Sequence, residues 1–105
     1  MPGSAFRDKN LTTLGYTAIV ASLSFSGIRF VVYSNDHPPR HVHGFLSEAE
    51  VIVDLLLDGN VALADRKDAV RPANATRSDV RKILNAAARH FDELAALWEE
   101  IHGQS

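Results

Sequence analysis

The first half of the chain alternates between apolar and polar side chains, a pattern typical of β-strands that bury one face. Apolar residues fall on every second position between residues 18 and 25, and residues 28–33 are rich in β-branched and aromatic side chains. Ser26-Gly27 separates these two segments and favours a hairpin turn. The strands predicted from the pattern cover residues 18–25, 28–33, 41–46 and 49–57, with a short edge strand at 61–63.

The end of the chain follows a helical period instead. Apolar residues from Val80 to Ile101 recur at steps of three and four. Thr76 is a favourable N-cap and Gly103 a favourable C-cap, so the pattern predicts one long amphipathic helix over residues 77–102. The predicted fold class is α+β: a small antiparallel or mixed sheet of roughly three to five strands, covered on one face by this long C-terminal helix.

Length and composition agree with one globular domain. The chain has 105 residues, of which 46% are hydrophobic and 23% charged, unlike the composition of a disordered protein. Residues 1–10 contain Pro, Gly, Ser and mixed charges without a period, which predicts a mobile N-terminal tail. Residues 11–105 are predicted to form a single α+β domain.

The chain contains no cysteine, and this narrows its chemistry. Disulfides, thiolate metal sites and a cysteine nucleophile are excluded, so any metal would be bound by His, Asp or Glu. No run approaches the ~20 apolar residues that a membrane span needs. We therefore expect a cytoplasmic protein.

The most unusual segment is the run His37-Pro38-Pro39-Arg40-His41-Val42-His43. Because side chains alternate along a strand, His41 and His43 must share one face. If Ser47-Glu48 forms a two-residue turn, His41 lies opposite Asp54 on the next strand. This register aligns the apolar rows of both strands and leaves the histidine face toward a cleft or solvent.

One hypothesis for the histidine face is a metal site. His41 and His43 would be ligands, with His37 arriving from the turn and Asp54 serving as a fourth ligand or orienting one. Such nitrogen and oxygen donors suit a divalent transition metal such as Zn, Fe, Mn or Ni, which would be the cofactor.

Two other hypotheses need no metal. In the first, His37, His41 and His43 move protons while Arg40 stabilises a phosphate, as in a metal-free ribonuclease. In the second, the prolines shape a tight turn and the imidazoles bond to its backbone, so the segment is only structural.

Charge is distributed unevenly along the chain, although the net charge is only −2. Between Arg66 and Arg89 there are seven basic and two acidic residues. The bases on the predicted helix are candidates for binding nucleic acid or an acidic partner chain, while a solvated charged face is the simpler interpretation. These bases are Arg77, Arg81, Lys82 and Arg89.

Several segments together resemble a known family. The stretch Gly27–Tyr33, the run Asn35–His43 with its Pro-Pro-x-His-x-His core, the following acidic and aliphatic strand and the helix near Leu97-Trp98 are similar to the small bacterial proteins of domain of unknown function 4160. The resemblance extends over residues 25–102, and its signature positions are His37, His41 and His43.

This resemblance implies a bacterial two-gene context. Family members look like small cytoplasmic proteins encoded beside another short protein, in pairs that suggest toxin–antitoxin modules. We expect on this basis a toxin-like component that acts through its histidine face on RNA or another phosphate-bearing target, with an antitoxin-like protein as partner and no membrane. Two alternatives stay open: a metal-binding enzyme of unknown substrate, and a non-catalytic module that binds nucleic acid or protein.

Overall fold

A computed structural model describes residues 6–11 and 19–103 of the chain. Seven strands and two helices lie in this part. In chain order they are β1 (Phe6–Leu11), β2 (Ile19–Phe25), β3 (Ile28–Tyr33), β4 (His41–Leu46), β5 (Ala49–Leu55), β6 (Val61–Leu63), β7 (Val70–Arg71), α1 (Arg77–Arg89) and α2 (Phe91–His102).

The strands form one antiparallel sheet in the order β1-β2-β3-β4-β5-β6. Strand β7 lies off this path because it pairs with the first half of β5, while β6 pairs with the second half. The α+β class is confirmed, and the sheet is antiparallel.

Tight turns fix the register of the central strands. In the β2–β3 turn, Ser26 and Gly27 both have positive φ angles, 52° and 82°, as a two-residue hairpin turn of the favoured hand requires. Ser47 takes a φ of 53° in the β4–β5 turn, so Leu46 pairs with Ala49. The predicted pairing of His41 with Asp54 is confirmed.

Both helices pack on one face of the sheet. The central strands contribute Val42 and Val53 to this core, and the helices contribute Ile83, Leu94 and Trp98, all buried. Gly44 marks the closest approach, because a Cβ there would lie 2.5 Å from Ile83 Cγ2. The opposite face carries a smaller buried cluster of Ile52, Ala64 and Ala69. The two faces of β4 and β5 therefore meet different surroundings, and the histidines belong to the second.

The prediction of one long helix is wrong, because the helix is interrupted at His90. This residue has φ −111° and ψ 31°, and its ring stacks on Phe25 with centroids 3.7 Å apart. Its backbone N–H still bonds to Ala86 O, and its carbonyl accepts from Leu94 N–H. The interruption lets α1 and α2 pack against different strands, α1 against β4–β6 and α2 against β2–β4.

The strand count also differs from the prediction. Strands β1 and β7 were not predicted, and β1 overlaps the segment interpreted as a tail; residues 1–5 lie outside the described part. Strand β5 ends at Leu55 rather than at residue 57, because Leu56 and Gly59 close a turn in which Leu57 is 96% exposed. In the described part, neither helix has the length and apolar character needed to cross a membrane.

Candidate functional site

A cleft of about 380 Å³ opens on the histidine face of the sheet. One wall is the turn at residues 35–39, and Ile52 and Ala64 form an apolar floor. Asp54, Asp65 and Arg66 line the other side. Asp36 and His41 also line the cleft, so one of the two β4 histidines borders a space that a small molecule could enter.

The carboxylate of Asp36 is held in one orientation by the turn that follows β3. The Tyr33 backbone N–H donates to Asp36 Oδ2 at 3.0 Å, and the Asp36 N–H donates back to the Tyr33 carbonyl at 3.1 Å. Since Oδ2 is engaged in this way, Oδ1 faces the imidazoles of His41 and His43.

Each imidazole has its Nδ1 atom held by an acceptor. His41 Nδ1 lies 2.9 Å from the Pro39 carbonyl oxygen, and His43 Nδ1 lies 3.1 Å from Glu50 Oε2. A carbonyl oxygen and a carboxylate oxygen both accept hydrogen bonds, so Nδ1 carries the proton in both rings. The two Nε2 atoms face Asp36 Oδ1: His43 Nε2 is hydrogen-bonded to this oxygen at 3.3 Å, and His41 Nε2 lies 3.5 Å from it.

His41 Nε2 is a buried polar atom without a hydrogen-bond partner in the described part of the chain. Its distance to Asp36 Oδ1, 3.5 Å, permits an ion pair and lies at the outer limit for a hydrogen bond. His41 as a whole is only 5% exposed. A buried nitrogen left in this state is costly unless something else occupies the position beside it.

The pKa values reflect the same contacts. Burial alone would raise the pKa of Asp36, but interactions with His41, His43 and the Tyr33 backbone N–H hold that pKa well below its usual range. Burial alone would lower the pKa of His41, yet Asp36, the Pro39 carbonyl and the charge of Asp54 raise it above its usual value.

Three donor atoms converge at this point, one each from Asp36, His41 and His43, and all lie within 4.8 Å of one another. Ligands about 2.1 Å from a tetrahedral metal ion are separated by roughly 3.4 Å. The two distances to Asp36 Oδ1, 3.3 and 3.5 Å, match that separation. Two of the three separations in the group therefore fit a tetrahedral metal ion.

Aromatic and charged neighbours support the two imidazoles. The Tyr33 ring meets His43 edge-on at 5.0 Å, and the Trp98 ring lies 5.4 Å from His41. Glu50, which holds His43 Nδ1, is itself paired with Arg71 Nη2 at 3.2 Å. These contacts restrict the rotation of the rings and keep both Nε2 atoms directed at Asp36.

The model of the family described as Domain of unknown function (DUF4160) matches residues 27–99. The chain belongs to this family. No curated protein and no solved structure gave a match. The matched part of this DUF4160 protein runs from the β2–β3 turn into α2 and contains Asp36, His41, His43 and Glu50.

Two predicted ligands of this DUF4160 protein lie in the cleft but outside the donor group. His37 is exposed on the turn, and Asp54, although paired with His41 across the strands, contributes no atom to the cluster. Burial raises the pKa of Asp54, against the opposing charges of His41 and Arg66. Asp36 takes the position that the sequence prediction gave to His37 and Asp54.

Arg40, predicted to stabilise a phosphate, is not among the residues that line the cleft, although its chain neighbours Pro39 and His41 are. Its guanidinium donates to the carbonyl oxygens of Leu55 at 3.3 Å and Leu56 at 3.1 Å, and sits 5.5 Å from the Phe91 ring centroid. These contacts join the end of β5 to α2, which is a structural role.

The four basic residues predicted as a binding surface are all exposed on α1. Arg77 and Arg81 border one shallow groove, while Lys82 and Arg89 border another, and Asn85 belongs to both. The structure therefore places them on one continuous helix surface, away from the histidine cleft.

Sequence reasoning missed Asp36 as a functional residue and did not assign a role to Glu50. Asp36 was interpreted only as part of a turn, since Asn-Asp before His-Pro-Pro is typical of turns. Glu50 carried a usable signal, because strand parity puts it on the same face as His43 and the diagonal across β4 and β5 brings them together.

Proposed function

We propose that Asp36, His41 and His43 bind one divalent transition metal ion, and that the protein is a metal-dependent enzyme acting in the adjacent cleft. The observation that carries this proposal is the buried, unpaired Nε2 of His41, directed at the carboxylate oxygen that also faces His43 Nε2. Two nitrogens and one oxygen suit Zn, Fe, Mn or Ni.

The hydrogen bonds that orient the two histidines favour a metal site over an ion pair between Asp36 and the histidines. Metal-bound histidines characteristically donate their other ring N–H to a carbonyl or carboxylate, which fixes the tautomer. His41 has the Pro39 carbonyl in that place and His43 has Glu50. Without a metal, His41 must be an imidazolium for a proton to stand between Nε2 and Asp36, and Oδ1, 3.5 Å away, is already hydrogen-bonded to His43 Nε2 at 3.3 Å.

An enzymatic rather than structural site is favoured by the number of ligands. Three protein ligands leave coordination positions free, as catalytic metal sites do, and two of the three line the cleft. A bound metal of this class lowers the pKa of a coordinated water and polarises a substrate oxygen. Asp54, at the side of the cleft, is placed to exchange a proton with a molecule bound there.

Metal titration of the untagged, EDTA-treated protein tests this proposal. Zn²⁺ and Mn²⁺ should bind in a ratio of about one ion per chain, and Asp36→Ala, His41→Ala and His43→Ala should each abolish binding. Asp54→Asn is the control, because it changes a cleft carboxylate that is not in the donor group, and its affinity should stay within about tenfold of the wild type. Folded wild-type protein that binds less than about a tenth of an equivalent would contradict the proposal.

The toxin-like role on RNA is a second proposal, and it rests on the two-gene context that the family resemblance implies. In the cleft, Asp36, Asp54 and Asp65 oppose Arg66, so a phosphate would be repelled unless a divalent cation offset the negative charge. The two proposals are therefore compatible, and any RNA cleavage by the pure protein should stop in EDTA and return with added metal. Cleavage that persists in EDTA would favour metal-free acid–base chemistry instead.

A further inference from the structure

A second groove lies on the other side of the molecule, between α1 and the β2–β3 turn, with a volume of about 340 Å³. Its floor is apolar: Phe25 and Ile28 are buried at 1% and 5% exposure, and Leu46 and Ala86 are half-buried. This size is at the lower end of ligand pockets and suits one large apolar side chain.

The rim of this groove carries positive charge without a compensating acid. Lys82 and Arg89 are exposed, and no acidic side chain in the described part lies at ion-pair distance from either. None of the residues that line the groove is acidic; Glu93 contacts His90 at 3.6 Å from outside it. An apolar floor with a cationic rim is complementary to a ligand that is both apolar and anionic.

The charge extends beyond the groove along α1. Arg77 and Arg81 continue the row on the same helix through Asn85, over a length of about 18 Å from residue 77 to residue 89. An extended chain of roughly five or six residues covers that length. The surface is thus large enough for a short peptide and not only for a single anion.

The groove suits an aliphatic side chain better than a nucleic-acid base. Proteins that bind single strands stack the bases on exposed aromatic rings. Two rings line this groove, Phe25 and His90; Phe25 is buried, and the two rings stack on each other at 3.7 Å, nearly parallel. At most one face of the half-buried His90 ring is left for a base, whereas an aliphatic side chain meets an apolar floor.

We propose that this groove binds an acidic peptide segment of a partner protein, with one large apolar side chain inserted between Lys82 and Arg89 and acidic residues placed along α1. The proposal is independent of the metal site, which lies on the opposite face of the sheet.

Fluorescence anisotropy with labelled synthetic peptides tests the proposal on the full-length protein at low salt. One peptide carries a central Leu flanked by Glu residues, a second replaces Leu by Ser, and an oligouridylate of similar length serves as the nucleic-acid probe. The Leu peptide should bind at least about tenfold more tightly than the Ser peptide, because the free energy gained by burying a leucine side chain corresponds to an affinity ratio of that size. EDTA should not change the affinity.

A second experiment reverses the charge of residues on the rim of the groove. Lys82→Glu and Arg89→Glu should each weaken binding of the Leu peptide by about fivefold or more, since each reverses a local attraction. Lys67→Glu is the matched control, because it makes the same change at an exposed lysine outside the groove, and its affinity should stay within about twofold. Far-UV circular dichroism establishes that each variant is folded.

Any of four results would overturn the proposal, three of them from the peptide series. These are no binding of the Leu peptide up to about 1 mM, where affinity is near the limit of specific recognition, equal affinity for the Leu and Ser peptides, or tighter binding of the oligouridylate than of the Leu peptide. An effect of Lys67→Glu equal to that of Lys82→Glu would also overturn it, because the attraction would then belong to the whole surface.

Discussion

The groups around His41 are of two kinds: the proposed metal ligands, and the groups that orient those ligands. Asp36, His41 and His43 supply the atoms that converge, while Glu50 and the Pro39 carbonyl each hold one Nδ1. A metal ligand whose supporting hydrogen bond is removed can still bind a metal, but its ring is no longer held in the right orientation. Substitution of a ligand should therefore abolish metal binding, whereas substitution of a supporting residue should only weaken it.

Glu50→Gln tests the support of His43. The amide would hold Nδ1 less strongly than the carboxylate and could present its NH₂ group instead, so metal affinity should fall by about 10- to 100-fold. Glu48→Gln is the matched control, because Glu48 is exposed in the neighbouring turn, and its affinity should equal that of the wild type. Isothermal titration calorimetry with Zn²⁺ measures both, and equal affinities for the two variants would contradict the assigned role of Glu50.

Asp36 should make the stability of the EDTA-treated protein depend on pH. Its pKa in the folded protein is lowered from the ordinary value of 3.8, so its carboxylate stabilises the fold above that pH. The contribution should be lost as the pH falls below 3.8 toward the lower folded value. Urea unfolding of the wild type and of Asp36→Asn should therefore give a difference in unfolding free energy that shrinks below about pH 4. A difference independent of pH would show that Asp36 acts only through packing.

At the scale of elements, α2 connects the hydrophobic core to the histidine face. Trp98 is 4% exposed, and its ring stacks on His102 with centroids 4.0 Å apart. His102 Nε2 lies 3.0 Å from the Tyr33 carbonyl, at the end of the strand that leads into the Asp36 turn. The end of α2 thus braces the turn that orients the Asp36 carboxylate.

Replacing Trp98 by Ala should destabilise the protein by about 3–5 kcal/mol, because a large buried ring leaves a cavity. Trp98→Phe is the control, since it keeps an aromatic ring in the core and should recover more than half of that loss. Urea unfolding followed by circular dichroism gives both values. A loss below about 1 kcal/mol for Trp98→Ala would be inconsistent with the packing of α2 on the sheet.

At the scale of the whole molecule, two candidate sites lie on opposite sides of one sheet. The cleft on the histidine face carries several carboxylates, while the groove on α1 carries cations, so the small net charge of −2 conceals two regions of opposite sign. A toxin-like protein needs both a target and an inhibitor, and separate surfaces would allow both to be bound.

Expression of the chain alone should slow the growth of a bacterial host if the toxin-like proposal is correct. His41→Ala should relieve the effect, because it removes one of the proposed metal ligands, whereas Lys67→Glu should leave it unchanged. Growth curves with matched soluble expression, checked by gel, make the comparison. Normal growth at high soluble expression, or equal toxicity of the His41 variant, would exclude a toxin role that depends on this site.

The sequence determined those features that depend on local rules. The period of two along β4 and β5, together with the short Ser47-Glu48 turn, fixed the pairing of His41 with Asp54. The helical period and the Thr76 N-cap correctly indicated the start of α1, where Thr76 Oγ1 accepts from the Asp79 N–H at 3.1 Å. Such features need only neighbours along the chain or across one turn.

The tertiary structure decided what depends on distant packing. Asp36 joins the proposed metal ligands because the β3–β4 connection folds back over the sheet. The interruption of the helix at His90 accompanies the stacking of the His90 ring on Phe25 from β2. Strand β7 formed where residues after β6 returned to pair with β5. These outcomes could not be predicted from the sequence. The sequence of a turn does not show in which direction its side chains point, and the spacing of apolar residues along a helix does not change where packing against a distant ring interrupts it.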